Sequence, residues 1–305
     1  MVTDVMERRG LLWPLAMLVT AGVGTGLMFS LNRIATVDGV PFIPYVFWSC
    51  LISGIVLLGL SMARRTPPSL SWPHLRTYII VGVLGMALPI TILAFVAPKV
   101  PASVLALGQT LVPMMTYLLA LALVMERFHW FGIGGIVLGL IGVLLIIVPE
   151  ASLPEPEMAG WVAVALLAPL CFAVCGISAA KFRPPEARSV SVSAGVQLVA
   201  ALFLLPVMAV ADSWWFFTSD FGEGEAALIV VALFYAVFWL CFFEIIRLAG
   251  PVFFSTSNYI ATIAGVVWGL IIFGDSLSSW IWAALVLMIA GLYLMNVQGK
   301  PAAAS

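Results

Sequence analysis

Charge is nearly missing from long stretches of this sequence, and histidine and cysteine are rarer still. The two histidines, His74 and His129, are far apart and have no Cys or carboxylate at ligand spacing, which argues against a catalytic metal or a haem. The four cysteines, Cys50, Cys171, Cys175 and Cys241, all fall inside apolar stretches. They read as small buried packers and not as disulfide partners. No basic cluster lies outside short gaps between apolar runs, so no nucleic-acid partner is expected. Walker loops, GxSxG elbows and aspartate-rich prenyl-phosphate motifs are lacking. The short run TAGVGTGLM lies within an apolar span, where glycines serve helix packing and not a phosphate cradle. Neither an enzyme nor a bound cofactor is expected.

What fills the chain instead is apolar residue: 63% is hydrophobic, 9% is charged, and the mean hydropathy is +1.17. No water-soluble domain has such a composition. Ten apolar spans can be read, over 11–31, 41–62, 74–97, 101–124, 130–148, 159–181, 189–211, 225–248, 251–273 and 279–298. Each is close to the ~20 residues that cross a bilayer as a helix. With the N-terminus placed in the cytoplasm, Arg8, Arg9, Arg64, Arg65, Arg76, Arg127, Lys181, Arg183, Arg188, Arg247 and Lys300 all fall inside, and only Arg33 and Lys99 fall outside. The expectation is a multi-pass protein of the bacterial inner membrane with both termini cytoplasmic. Its first span is expected to remain as a signal anchor and not to be cleaved.

The halves of the chain resemble each other, which predicts an all-α fold of two five-helix repeats, residues 1–149 and 150–305. Because five is odd, the second copy enters the membrane inverted. ALGQTLVPMMTYLLALALVMERF (106–128) aligns with STSNYIATIAGVVWGLIIFGDSL (255–277) at an offset of 149, setting Glu126 on Asp275. At an offset of 148, Trp13 to Arg33 aligns with Trp161 to Lys181. The fourth and ninth spans carry matching stripes of small and polar residues, Gln109 and Thr116 in one, Asn258 and Thr262 in the other. Such a stripe serves close packing or the wall of a cavity. The glycine stripe Gly135, Gly139 and Gly142 is read as packing within one chain, not as a dimer face, so a monomer is favoured over a homodimer. Pro44, Pro89, Pro113, Pro169 and Pro206 are expected to kink their helices.

The segments LAGPVFFSTSNYIATIAGVVWGLIIFGDSLSSW and APKVPASVLALGQTLVPMMTYLLALALVMERF resemble the EamA branch of the drug/metabolite transporter superfamily. Each half of such proteins carries a Pro or Gly-Pro turn, a small-polar helix, an acid at its end, then a Gly-rich fifth helix. The resemblance implies the ten-helix inverted-repeat fold and a secondary transporter, often an exporter of amino acids and related metabolites. Asp275 stands where the family usually has Glu.

No Lys or Arg lies between the ends of the spans, so an anionic substrate would meet no counter-charge. A neutral, zwitterionic or cationic small molecule is expected, bound in a central cavity and moved by alternating access. Gln109, Thr116, Asn258 and Thr262 are the candidate hydrogen-bonding groups. Trp48, Tyr235, Trp239 and Tyr259 are the candidate apolar walls. Should Trp239 and Tyr259 close an aromatic box, a quaternary ammonium or other organic cation becomes the substrate. Glu244, near the end of the eighth span, is either an ion-pair partner of Arg247 or a proton-coupling carboxylate.

Overall fold

A computed structural model describes residues 2–124, 128–148, 153, 155, 157–184, 186–217, 221–255, 257–275 and 277–296; for residues 2–12, 180, 249–253, 255, 292, 295 and 296 it describes the backbone alone. Glu126 and Arg127, most of the loop after residue 148, Asp220 and Lys300 lie outside that description. All regular structure among the described residues is helical. Eight stretches are long and apolar enough to cross a membrane, from Trp13–Val37 to Glu223–Leu248, and two shorter apolar helices, Ser257–Phe273 and Ser279–Gly291, follow.

The helices are α1 (Val2–Val37), α2 (Phe42–Ala63), α3 (Trp72–Gly82), α4 (Leu88–Val96), α5 (Ala102–Gly108), α6 (Leu111–Ala122) and α7 (Trp130–Ile147). After them come α8 (Met158–Ala165), α9 (Leu167–Phe182), α10 (Ser189–Val210), α11 (Glu223–Ser255), α12 (Ser257–Phe273) and α13 (Ser279–Asn296). A π-helical turn, Val83–Ala87, joins α3 to α4. Three breaks have one physical cause. Proline has no N–H for the carbonyl four residues earlier, and its ring crowds that carbonyl. Pro89 therefore follows the π turn, Pro113 follows the break at Gln109–Thr110, and Pro169 follows the break at Leu166. Pro206 sits inside an unbroken α10, and Pro44 lies in the first turn of α2, where no N–H is needed. The kink expected at Pro44 is thus not found. Nor does the chain turn at Gly250–Pro251: α11 runs on to Ser255, so the expected start of a helix at residue 251 moves to Ser257.

Contacts between helices follow a repeating plan. α1 packs on α11 and α12, while α9 packs on α3, α4 and α6; α2 packs on α10, and α7 on α13. Gly26 lets α1 touch α12 backbone to backbone, since a Cβ there would lie 2.5 Å from the amide nitrogen of Gly265. Gly142 leaves room on α7 for the Met288 side chain of α13, which a Cβ would meet at 2.6 Å.

One end of the bundle holds Trp13, Arg64, Arg188 and Arg247, and is called the basic end below. At the other, acidic end, Asp38 Oδ2 accepts from the amide of Gly224 at 2.6 Å. Gly274, with φ +63°, ends α12 in the left-handed region and turns Asp275 back over the bundle. There Asp275 pairs with Arg33 at 3.3 Å and accepts from Ser103 Oγ at 3.0 Å. Arg33 also stacks 4.4 Å over the Phe273 ring. Helix α1 runs a further turn past Arg33, to Val37, beyond the limit of residue 31 expected for the first span.

Candidate functional site

The π turn before α4 and Gln109, at the break after α5, border a cavity of about 60 Å³ that lies between α1, α4, α9 and α11. At ~30 Å³ per molecule that is room for about two waters. Its wall is built from Thr25, Phe29 and Asn32 on α1, Gly85 and Met86 on the π turn, Ile90 on α4, Gln109, Phe172 on α9, and Tyr235 and Phe238 on α11. No charged side chain is among its lining residues.

Several polar atoms at or near this space have no hydrogen-bond partner. The Tyr235 hydroxyl is one, on a residue only 2% exposed. Thr262 Oγ1 and Trp239 Nε1 are likewise buried and unpartnered. A buried donor left without a partner costs about 1–3 kcal/mol, so such groups in a native interior call for an explanation. Asn32 is spoken for, because Tyr45 donates its hydroxyl to Asn32 Oδ1. The amide NH₂ of Asn32 and the hydroxyl of Tyr235 then join Gln109 among the polar groups of a mostly apolar wall. Thr25 is turned inward upon its own helix, donating to the Ala21 carbonyl at 2.7 Å.

Below the cavity, toward the basic end, lies an aromatic plug. Trp239 packs with ring-centroid separations of 5.1 Å from Phe242, 5.7 Å from Phe243 and 5.8 Å from Phe238. Phe254 closes on Phe242 at 4.8 Å. Gly85 is required here, since a Cβ would meet Cys175 Sγ at 2.6 Å and the Trp239 ring at 3.0 Å.

Of the residues singled out in the sequence, Gln109 and Tyr235 line the cavity, and Trp239 forms its floor. Thr262 is fully buried in α12. Thr116 sits farther along α6 and donates to the Val112 carbonyl of its own helix at 2.7 Å. Asn258 and Tyr259 are half-buried in the first turn of α12, outside the cavity lining. Trp48 is held at the acidic end, donating from Nε1 to the Trp215 carbonyl at 3.0 Å and meeting Phe217 edge-on at 5.4 Å. The stripe on α12 is largely spent on packing. A Cβ at Gly265 would lie 2.3 Å from Ala106, and one at Gly269 would crowd Asp275 and Ser103.

Glu244 does not face the central cavity. It lines a separate groove of about 820 Å³ at the basic end, between α1, α11 and the start of α10. Its carboxylate accepts from Ser189 Oγ at 2.9 Å and from Arg247 Nε at 3.1 Å, and the Arg247 Nη2 closes a second contact. Arg183 extends the network, donating to Ser189 Oγ at 3.3 Å and to the Phe243 carbonyl at 2.9 Å. No group of three or more His, Cys, Asp or Glu side chains placed to hold a metal occurs among the described residues.

Asn32 and Tyr45 escaped the sequence reading. A signal for Asn32 exists: Thr25, Phe29 and Asn32 recur at helical spacing on one face of α1. Their counterparts at an offset of 148 are Ala173, Ile177 and Ala180, so a search guided by repeat symmetry passes over them.

A model of the EamA-like transporter family matches residues 12–148 and again residues 159–297. No curated protein matches the chain. Among solved structures, one crystal structure shares 18% identity over 94% of this chain and 99% of its own, with a TM-score of 0.59. At that identity the likeness concerns the fold alone.

Proposed function

The chain belongs to the EamA-like transporter family, as a multi-pass membrane protein, and on that premise we propose that it is a secondary transporter of small neutral or zwitterionic metabolites such as amino acids. We read the architecture as ten membrane helices in two inverted five-helix repeats, residues 1–149 and 150–305. The family model matching twice supports this, as do the paired contacts: α1 on α12 and α11 mirrors α9 on α6 and α3–α4. The basic end is assigned to the cytoplasm by the bias of Lys and Arg, which sets the N- and C-termini inside and the protein in a bacterial inner membrane. Export is the favoured direction, by alternating access.

The observation that carries the substrate class is the uncharged cavity with buried polar atoms left unpartnered. An amino acid presents an ammonium and a carboxylate that need both acceptors and donors, with no net charge to neutralise. Tyr235, Trp239, Gln109 and the Asn32 amide NH₂ offer donors, and the Gln109 side-chain oxygen and the Tyr235 hydroxyl oxygen offer acceptors. Phe29, Phe172 and Phe238 suit an apolar side chain. Thr262 is kept as a further hydrogen-bonding candidate, whereas Thr116, Asn258, Tyr259 and Trp48 would take part only after a rearrangement. The quaternary-ammonium reading draws on the plug around Trp239. Counterflow in proteoliposomes tests the proposal: saturable exchange of labelled amino acids is expected. Exchange of methylated amines alone would transfer the assignment to cations, and an ohmic ion current without saturation would remove the carrier.

A further inference from the structure

We infer that the chain carries one aromatic–cation clamp twice, once at each end of the bundle, and that the structure holds the acidic-end copy shut and the basic-end copy open. The inference rests on the inverted-repeat carrier reading above and identifies the residues that position its two gates.

The offset of 148 that sets Trp13 on Trp161 also sets Phe95 on Phe243 and Lys99 on Arg247. At the acidic end the three residues meet. Lys99 Nζ lies 3.6 Å from the centroid of Phe95 and 3.6 Å from that of Trp161, and the two rings stand 5.7 Å apart at 78°. Phe95 belongs to α4 and Trp161 to α8, so the ammonium ties together two helices from opposite halves of the chain. A cation between two ring faces is attracted by both quadrupoles, and more strongly where water is excluded.

At the basic end the same residue types stand apart. Trp13 is 65% exposed, and Trp13 and Arg247 line the 820 Å³ groove. Phe243 is fully buried beside Trp239. Arg247 is held by Glu244 instead of by a ring. The position matching Glu244 in the first half is Val96, so only the basic-end copy has a carboxylate that can hold its cation off the aromatic site. Glu244 is thereby a positioning residue: Arg247 exchanges Glu244 for Trp13 when the groove closes. In the opposite state of the carrier, Trp13, Arg247 and Phe243 meet while Lys99 leaves Trp161.

The same offset supplies two reporters. Leu93, two residues before Phe95 on α4, lines the central cavity at 2% exposure, and its counterpart is Cys241, which lines the open groove at 7% exposure. The test uses the full chain in membranes without its other native cysteines. It follows an impermeant thiol reagent at a Leu93→Cys thiol from the acidic end and at Cys241 from the basic end. Trp161→Ala should raise labelling at Leu93→Cys on the order of tenfold and slow labelling at Cys241. Trp13→Ala should move both rates in the opposite directions. Lys99→Gln and Arg247→Gln keep the rings and should repeat the pattern, so a folding defect in an alanine variant does not decide the outcome. Shifts in the same direction from both ends, or unchanged rates in folded protein, would overturn the clamp. Counterflow by the parent protein separates the two readings: intact exchange with a failed clamp leaves the carrier standing. No exchange, with no change in either labelling rate on adding amino acids, removes the carrier and the clamp with it.

Discussion

Replacing Tyr235 by Phe removes one hydroxyl that is buried and lacks a partner in a residue lining the central cavity. If that oxygen is kept for substrate, the change separates stability from transport. A buried polar group without a hydrogen bond costs about 1–3 kcal/mol, and hydrogen bonds inside membranes average nearer 0.6 kcal/mol. The variant should therefore be as stable as the parent or more so by about 1 kcal/mol, a rise of about 1–3 °C in Tm for a chain of this size. Substrate binding should weaken by about 0.5–1.5 kcal/mol, seen as a roughly two- to tenfold higher half-saturation concentration in counterflow. Both quantities can be read from one detergent preparation, by thermal unfolding before reconstitution and by labelled amino-acid exchange after it. A Tm lowered by several degrees with unchanged half-saturation would refute the reasoning. It would mean the hydroxyl supports the fold and that the cavity it faces is not the binding site.

Gln109→Leu should weaken counterflow several-fold with little loss of folded protein, while Asn258→Leu, outside the cavity lining, should change it about twofold or less; the two half-saturation values measured side by side check this. Glu244→Gln breaks a partly exposed ion pair worth under about 1 kcal/mol, so Tm should fall slightly and gradient-driven and exchange fluxes should fall in one proportion. Loss of accumulation with exchange retained would make Glu244 the coupling carboxylate. Gly26→Ala sets a methyl 2.5 Å from the Gly265 amide nitrogen, a backbone contact that cannot rotate away, and should lower stability by about 1–3 kcal/mol in thermal unfolding. A cysteine at the exposed Glu157, in an otherwise cysteine-free chain, should react with an impermeant maleimide from the periplasm; reaction only after the inner membrane is opened would reverse the orientation.

The membrane-spanning character was legible because a bilayer imposes length and polarity directly on the sequence, and the spans around Trp13–Val37 through Glu223–Leu248 fall near their expected limits. Finer geometry was not. Proline marks where a helix is weakened, but whether the chain answers with the π turn before Pro89, a break before Pro113, or continuous helix through Pro206 depends on the neighbours. Gln109 and Tyr235 could be picked out because an amide and a phenol are conspicuous in apolar runs. Trp48 was equally conspicuous, yet its partner is the Trp215 carbonyl, in a loop whose approach to α2 no local pattern encodes. The α12 stripe carried two meanings in the same letters. Gly265 and Gly269 face backbone and side chains of α1 and α5, while Thr262, fully buried on the same helix, keeps an unpartnered hydroxyl.

The size of the cavity bears on how these parts act together. At about 60 Å³ it has space for about two waters, less than an amino acid occupies, so the binding proposed above would require its walls to part. Those walls include the π turn and Gln109, two of the places where proline has already released backbone hydrogen bonds. Unbroken helix at the same points would have to lose such bonds in order to bend. Helix α4 leads from the π turn to Phe95, and Lys99 follows just beyond its end, in the clamp on Trp161. Widening the cavity at Gly85 and Met86 thus pulls on the helix whose far end is held by a cation–π contact of modest strength. On the carrier reading proposed above, a contact of that size would resist the opening when the cavity is empty and give way when a substrate adds hydrogen bonds to Tyr235 and Gln109, coupling occupancy to the acidic-end clamp without a charged residue in the cavity lining.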